Sequence, residues 1–205
     1  MLSGKKKSGE LRSDICLYVV LCLKNQSKFI FMKSMLLLVA SIAVLTACGQ
    51  NKSKPEDKSK RPSPPAMAKE TIASGAVVSI DYSQPSVKGR TIGKDLEPTD
   101  GKVWRTGANE ATVFETDRDV TIDGKKLAAG KYGLFTLFDG SDVTVIFNKT
   151  WNQWGAFKYN DADDALRVKT KYTEGASSEK MTFTISKDGT INLLWGTRKV
   201  SFKVH

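Results

Sequence analysis

From Ile72 onward, apolar residues recur at every second position, the period of a strand with one face buried. Val78, Ile80 and Tyr82 alternate with Ser79 and Asp81. Leu166, Val168, Thr170 and Tyr172 alternate with Arg167, Lys169 and Lys171. Met181, Phe183 and Ile185 alternate with Thr182, Thr184 and Ser186, and Val200, Phe202 and Val204 with Ser201 and Lys203. The segment 130–138, GKYGLFTLF, is apolar on both faces and predicts a central strand covered on both sides. Turn signals fall between these runs: 138–141 (FDGS), 187–190 (KDGT) and Asp123-Gly124, each carrying the Asp-Gly pair that accepts positive φ. No helical period runs beyond about two turns. The pattern predicts an all-β domain over 72–205: a single antiparallel β-sandwich, jelly-roll-like, of about ten short strands.

Upstream of Ile72 the pattern changes twice. Lys33 precedes a short apolar run from Met35 to Val44 that ends in LTAC at 45–48. A run of this length, closing on small residues, reads as a signal peptide rather than a membrane span. LTAC resembles the bacterial lipobox, so residues 32–48 are expected to be a lipoprotein signal with Cys48 as the lipidation site and the membrane anchor. Residues 1–31 contain one apolar stretch, 15–23, too short to cross a bilayer. They are expected to be disordered and to lie upstream of the true start at Met32. Residues 49–71 are rich in Lys, Ser and Pro and poor in apolar side chains. They are expected to form a disordered tether reaching roughly 25 Å.

Charge sharpens this division. The 205-residue chain carries a net +10, yet residues 72–205 hold 19 Lys/Arg against 17 Asp/Glu, net +2. The excess sits in the targeting and tether segments, which argues against a nucleic-acid partner, for which a basic face on the folded domain is needed. The cysteines are Cys16, Cys22 and Cys48, all outside the domain, and the single histidine is His205. The domain therefore lacks the residues for thiolate or imidazole metal sites and for Ser-His or Cys-His catalysis. No metal and no cofactor are expected.

The densest chemistry lies in residues 102–112, KVWRTGANEAT. Arg105 and Glu110 are placed to form a bidentate ion pair across the turn at 106–108, with Asn109 capping that turn. Arg90 adds a second guanidinium between Gly89 and Gly93. One reading makes this a polar brace between strand ends, since structural ion pairs are common. The other makes it a ligand pocket of Arg90, Trp104, Arg105, Asn109 and Glu110, with Trp104 stacking on the ligand and an arginine gripping a carboxylate, phosphate or sugar hydroxyl. A second cluster, Trp151, Trp154, Phe157 and Tyr159, is either a sugar-stacking platform or an aromatic lid. The acidic run 160–164, NDADD, lacks the glycine and distal glutamate of a calcium loop and reads as a solvated turn.

Five segments together are similar to one bacterial family: 86–93 (SVKGRTIG), 103–112 (VWRTGANEAT), 129–135 (AGKYGLF), 145–148 (VIFN) and 193–195 (LLW). They resemble the domain of unknown function 2911. The resemblance implies a secreted or lipid-anchored envelope protein and supplies no activity, cofactor or catalytic residue.

These observations lead to a lipid-anchored bacterial envelope protein facing the periplasm or cell exterior. Its expected role is a non-enzymatic binding module for a small polar or glycan ligand or an envelope protein partner. Two alternatives stand beside it: a carboxylate-based, glycosidase-like hydrolase using Glu110 with Glu115 or Asp117, and a structural envelope scaffold.

Overall fold

The computed structural model describes residues 56–205. The expected signal segment, Cys48 and residues 1–31 lie outside the described residues, as does the tether up to residue 55. The strands are β1 (Pro65–Thr71), β2 (Val77–Ser83), β3 (Val103–Trp104), β4 (Thr112–Thr116), β5 (Val120–Ile122), β6 (Lys125–Leu127), β7 (Gly130–Asp139), β8 (Asp142–Asn148), β9 (Asp164–Ile185) and β10 (Thr190–Lys203). Two short 3₁₀ turns, Lys58–Lys60 and Asp161–Asp163, are the only helical pieces among the described residues.

The all-β class and the antiparallel pairing agree with the pattern of the sequence. The layering differs from the expected jelly-roll sandwich. Eight strands form one sheet in the order β1-β2-β4-β7-β8-β9-β10, with β3 also paired to β7, and the ribbon β5-β6 stands apart. Spatial order follows chain order, so the sheet is a meander. It curls into a half-barrel.

The cause lies in β9 and β10. The sequence suggests separate strands at 166–172 and 181–185, and again at 191–195 and 200–204. The chain instead runs through 173–180 and 196–199 without breaking, giving strands of 22 and 14 residues. The register shifts at Leu194/Gly196 and at Gly196/Arg198, and such bulges bend a strand and raise its twist. β9 pairs with β8 up to Lys171 (Val145↔Val168) and with β10 from Tyr172 onward (Phe183↔Leu193). The bent pair carries the sheet around toward its own beginning. There the segment after β2 bonds to the middle of β9: Val87 N–H donates to Glu179 O at 2.8 Å and Met181 N–H to Pro85 O at 3.0 Å. The Tyr82 and Phe183 rings meet edge to face at 5.0 Å across the same junction.

The concave side holds the main core, including Ile80, Phe114, Leu134, Phe147, Met181, Ile191, Trp195 and Phe202. Burial of this kind is the dominant favourable contribution to folding. β7 sits in mid-sheet, and its alternate residues divide between the faces as its two-sided apolar pattern requires. Tyr132, Leu134 and Phe138 join the main core. Phe135, fully buried, joins Ala111 and Ile146 in a smaller cluster on the convex side, against Val103, Leu137, Ala156 and Tyr159. The Asp123-Gly124 turn adopts φ +44° and +80°, the mirror-image hairpin geometry that the pair favours.

The domain begins earlier than the sequence suggests. By composition Pro65–Thr71 belongs to the tether, but it forms the edge strand β1, in register with β2 from Pro65↔Ser83 to Thr71↔Val77. Its inward residues Ala66 and Ala68 are too small to give a strong apolar signal, and its outward ones include Met67 and Lys69, so it reads as linker.

Candidate functional site

β3 and β4 lie in line along the same edge of β7: Trp104 faces Thr136, and Thr112 faces Leu134. Residues 105–111 are therefore an excursion from what would otherwise be one strand. The excursion is closed by Thr112 N–H donating to Arg105 O at 3.2 Å. Inside it, Thr106 (φ +50°) and Asn109 (φ +56°) both occupy the left-handed region. For β-branched Thr106 that is a strained conformation. Its hydroxyl donates to Trp104 O at 3.3 Å and shares a hydrogen bond with Thr136 Oγ1 at 3.1 Å, while its carbonyl accepts from Thr112 Oγ1 at 2.8 Å. Gly107 is required for close approach: a Cβ there would sit 2.9 Å from Thr112 Oγ1 and 3.2 Å from Ser83 O.

Beside the excursion lies a half-open cavity of about 190 Å³. Arg90, Trp104 and Arg105 all border it, together with Ser63, Pro85, Leu96, Glu97 and Trp195. The two indoles brace the walls. Trp104, 3 % exposed, donates Nε1–H to Gly107 O at 3.1 Å, and Trp195, equally buried, donates to Glu97 O at 2.8 Å. Trp104 thus fixes the excursion from below, and the stacking role suggested for it is replaced by a positioning one: its ring belongs to the core. Arg90 is aimed by two backbone carbonyls, Nε–H to Val87 O at 3.2 Å and Nη2–H to Ser86 O at 2.8 Å.

Arg105 differs from every other polar group in the wall. Its Nε is buried and has no hydrogen-bond partner. Burial pulls its pKa down from the ordinary arginine value, opposed by the negative charge of Glu97. The expected Arg105–Glu110 ion pair is absent. Glu110 is taken by the chain that precedes β1: Arg61 Nη1 reaches its two oxygens at 2.8 and 3.0 Å, and Lys58 Nζ reaches Oε1 at 2.8 Å. Burial pushes the Glu110 carboxyl up, but the hydrogen bonds from Lys58, its own backbone N–H and Arg61 outweigh it and bring the pKa to about 2. A carboxyl held so firmly ionised is unsuited to general-acid work at neutral pH. Glu115 is bound in a cross-strand pair with Lys131 at 3.3 Å. The Asn109 side chain does not cap the turn either; its Nδ2 donates to Ser63 O at 3.0 Å.

The five motif residues therefore divide. Arg90, Trp104 and Arg105 face the cavity; Asn109 and Glu110 hold down residues 58–63 as a strap. The same strap reaches the aromatic cluster, with the Arg61 guanidinium 5.6 Å from the centre of the Trp154 ring. Backbone bonds Ala111 N–H to Gln153 O (3.0 Å) and Gly155 N–H to Asn109 O (2.9 Å) stitch that cluster to the excursion.

Within the cluster, Tyr159 is the ring that forms a lid over the convex face of β7. Tyr159 packs on Phe135 at 5.1 Å. Its hydroxyl donates to Asp164 at 2.9 Å and accepts from Arg167 at 2.8 Å. Burial first, then Asp164, pushes its pKa up to about 12. Trp151, Trp154 and Phe157 remain exposed, Phe157 at 86 %. The 160–164 run is a capped 3₁₀ turn whose carboxylates serve Thr150, Asn148, Tyr159 and Arg167. Among the described residues no group of acidic, His or Cys side chains is placed to hold a metal.

Glu97, Trp195, Pro85, Leu96 and Ser63 are the lining residues that the sequence did not single out. The cavity draws them from segments far apart in the chain, so no local spacing marks them; only the quoted LLW at 193–195 touched one of them.

The fold and cavity define a β half-barrel with an arginine-bearing pocket at the rim of its sheet. Residues 63–204 match the model of a family described as protein of unknown function (DUF2911), and the chain belongs to that family. No curated protein and no solved structure shows significant similarity to it.

Proposed function

We propose that the domain is a binding module for a small ligand bearing an anionic group, held in the cavity by Arg105 with Arg90 at the mouth. The observation that carries this reading is the buried, unpartnered Nε of Arg105. A buried polar atom without a partner is destabilising by about 1–3 kcal/mol. The fold bears that in a wall where every neighbouring turn is braced, and beside a strained threonine, which is the signature of a pre-organised site rather than of a structural tie. The cavity, at about 190 Å³, is smaller than a typical drug-sized pocket. It suits a small molecule, or one end of a larger one.

The lipobox-like LTAC and the preceding apolar run support placing this module on the outer side of a bacterial membrane, tethered through Cys48. The lack of any imidazole or thiol in residues 72–204, and the engaged state of Glu110 and Glu115, favour binding over hydrolysis.

Titration of the full chain with acetate and inorganic phosphate, followed by NMR or calorimetry, tests the pocket. Saturable shifts confined to residues 85–108 and Trp195, lost in Arg105→Met, are the expected result. Absence of saturable binding to either anion defeats the reading. Metabolic labelling with a radioactive fatty acid tests the anchor: Cys48→Ser should abolish the label and release the protein to the soluble fraction.

A further inference from the structure

The cavity holds charges of both signs that do not meet. Arg105 and Glu97 both border it, Arg105 on the excursion and the exposed Glu97 on the segment whose carbonyl accepts from Trp195. Glu97 is near enough for its charge to act on Arg105, yet no ion pair within 4.0 Å joins them. Pairing would be favourable if the walls allowed it. The Glu97 carboxylate is instead engaged within its own turn, Oε2 accepting from Thr99 N–H at 2.6 Å, while its carbonyl accepts from Trp195. The result is a cation and an anion bordering one small cavity without pairing, together with the apolar Leu96 and Pro85.

A ligand complementary to this field carries a carboxylate and, a few bonds away, a cation. We propose that the pocket takes a small zwitterion of the amino-acid class, free or as the end of a larger molecule. Its carboxylate pairs with Arg105, its ammonium with the free oxygen of Glu97, and its carbon skeleton lies against Leu96 and Pro85. This rests on the anion-binding reading above and adds the second charge. Planar guanidinium matches planar carboxylate in a two-bond fork, whereas an ammonium is satisfied by one carboxylate oxygen. Arg90, partly engaged by Val87 and Ser86, leaves a positive mouth that admits a second acidic group on the ligand.

The test is a ligand series on the full chain by calorimetry: alanine, propionate, ethylamine and inorganic phosphate. Alanine and propionate share the carboxylate and differ by the ammonium. Alanine should bind about tenfold more tightly than propionate, the usual effect of one charge-assisted hydrogen bond. Ethylamine should not bind measurably. In Glu97→Gln, which retains an oxygen for Thr99 N–H, the preference for alanine should vanish while propionate binds as before. Equal binding of alanine and propionate by the unaltered chain overturns the zwitterion and leaves the anion site intact. Failure of all four probes overturns both. Because the series needs no variant, a misfolded substitution cannot decide the outcome.

Discussion

Replacing Arg105 by methionine separates a working pocket from an internal tie. The methionine side chain follows the arginine stem atom for atom and ends in a methyl where Nε stands. The variant thus removes the buried, unpartnered nitrogen and the half-buried charge while keeping the apolar packing. An unsatisfied buried polar atom costs about 1–3 kcal/mol, and the methyl restores dispersion contacts in its place. Against this, the attraction between Arg105 and Glu97 is lost; across a half-open cavity it is a fraction of a kcal/mol. The net expectation is stabilisation by about 1 kcal/mol, a rise in Tm of about 2–4 °C for a domain of this size. Binding of acetate or phosphate should disappear in the same variant. The assay is ligand-free thermal and urea denaturation of both proteins, with the urea slope unchanged as the check that only stability moved. A fall in Tm of several degrees would show that the guanidinium holds the walls together, and the pocket reading would fail with it.

Three further outcomes follow from the geometry. Glu110→Gln should lose about 1 kcal/mol at neutral pH, after allowance for the partial exposure of the carboxyl, through the Arg61 arm of the clasp. Because the folded pKa lies below the ordinary glutamate value of 4.5, that contribution is complete above about 4.5 and declines as pH falls toward about 2; a stability gap between the two proteins that persists in strong acid would contradict it. Gly107→Ala forces a Cβ against Thr112 Oγ1 and the Ser83 carbonyl, so destabilisation by about 1–3 kcal/mol is expected by chemical denaturation. Phe135→Ala opens a void beneath the lid and should cost about 3–5 kcal/mol, with a change in tryptophan emission from Trp151 and Trp154; unaltered emission would mean that the lid does not depend on that ring.

The parts of the fold that could be read from the chain are those in which local chemistry and global placement agree. Residues 130–138 are apolar on both faces because β7 is covered on both, and Asp-Gly turns require no distant partner. The parts that could not be read depend on distant contacts. Gly175-Ala176-Ser177-Ser178 looks like a loop, yet it continues β9 because Gly196 and Arg198 of β10 pair beside it. Arg105 and Glu110 are close in sequence and invite pairing, but Arg61, 49 residues before Glu110, takes the carboxylate. The strained Thr106 and Asn109 separate the two side chains, and no propensity scale marks a threonine for positive φ. The motif was legible as a concentration of polar chemistry; its division into a cavity side and a strap side was not.

The strap leads directly into β1, whose first residue pairs with the last of β2. A load arriving through the strap therefore reaches β1 at its first residue. The ion pairs on Glu110 yield first, then the Ser63 contact at the pocket margin, then β1 one rung at a time, while the meander behind it is shielded. A pull on the strap would draw Ser63 away from the pocket before it disturbed the rest of the sheet.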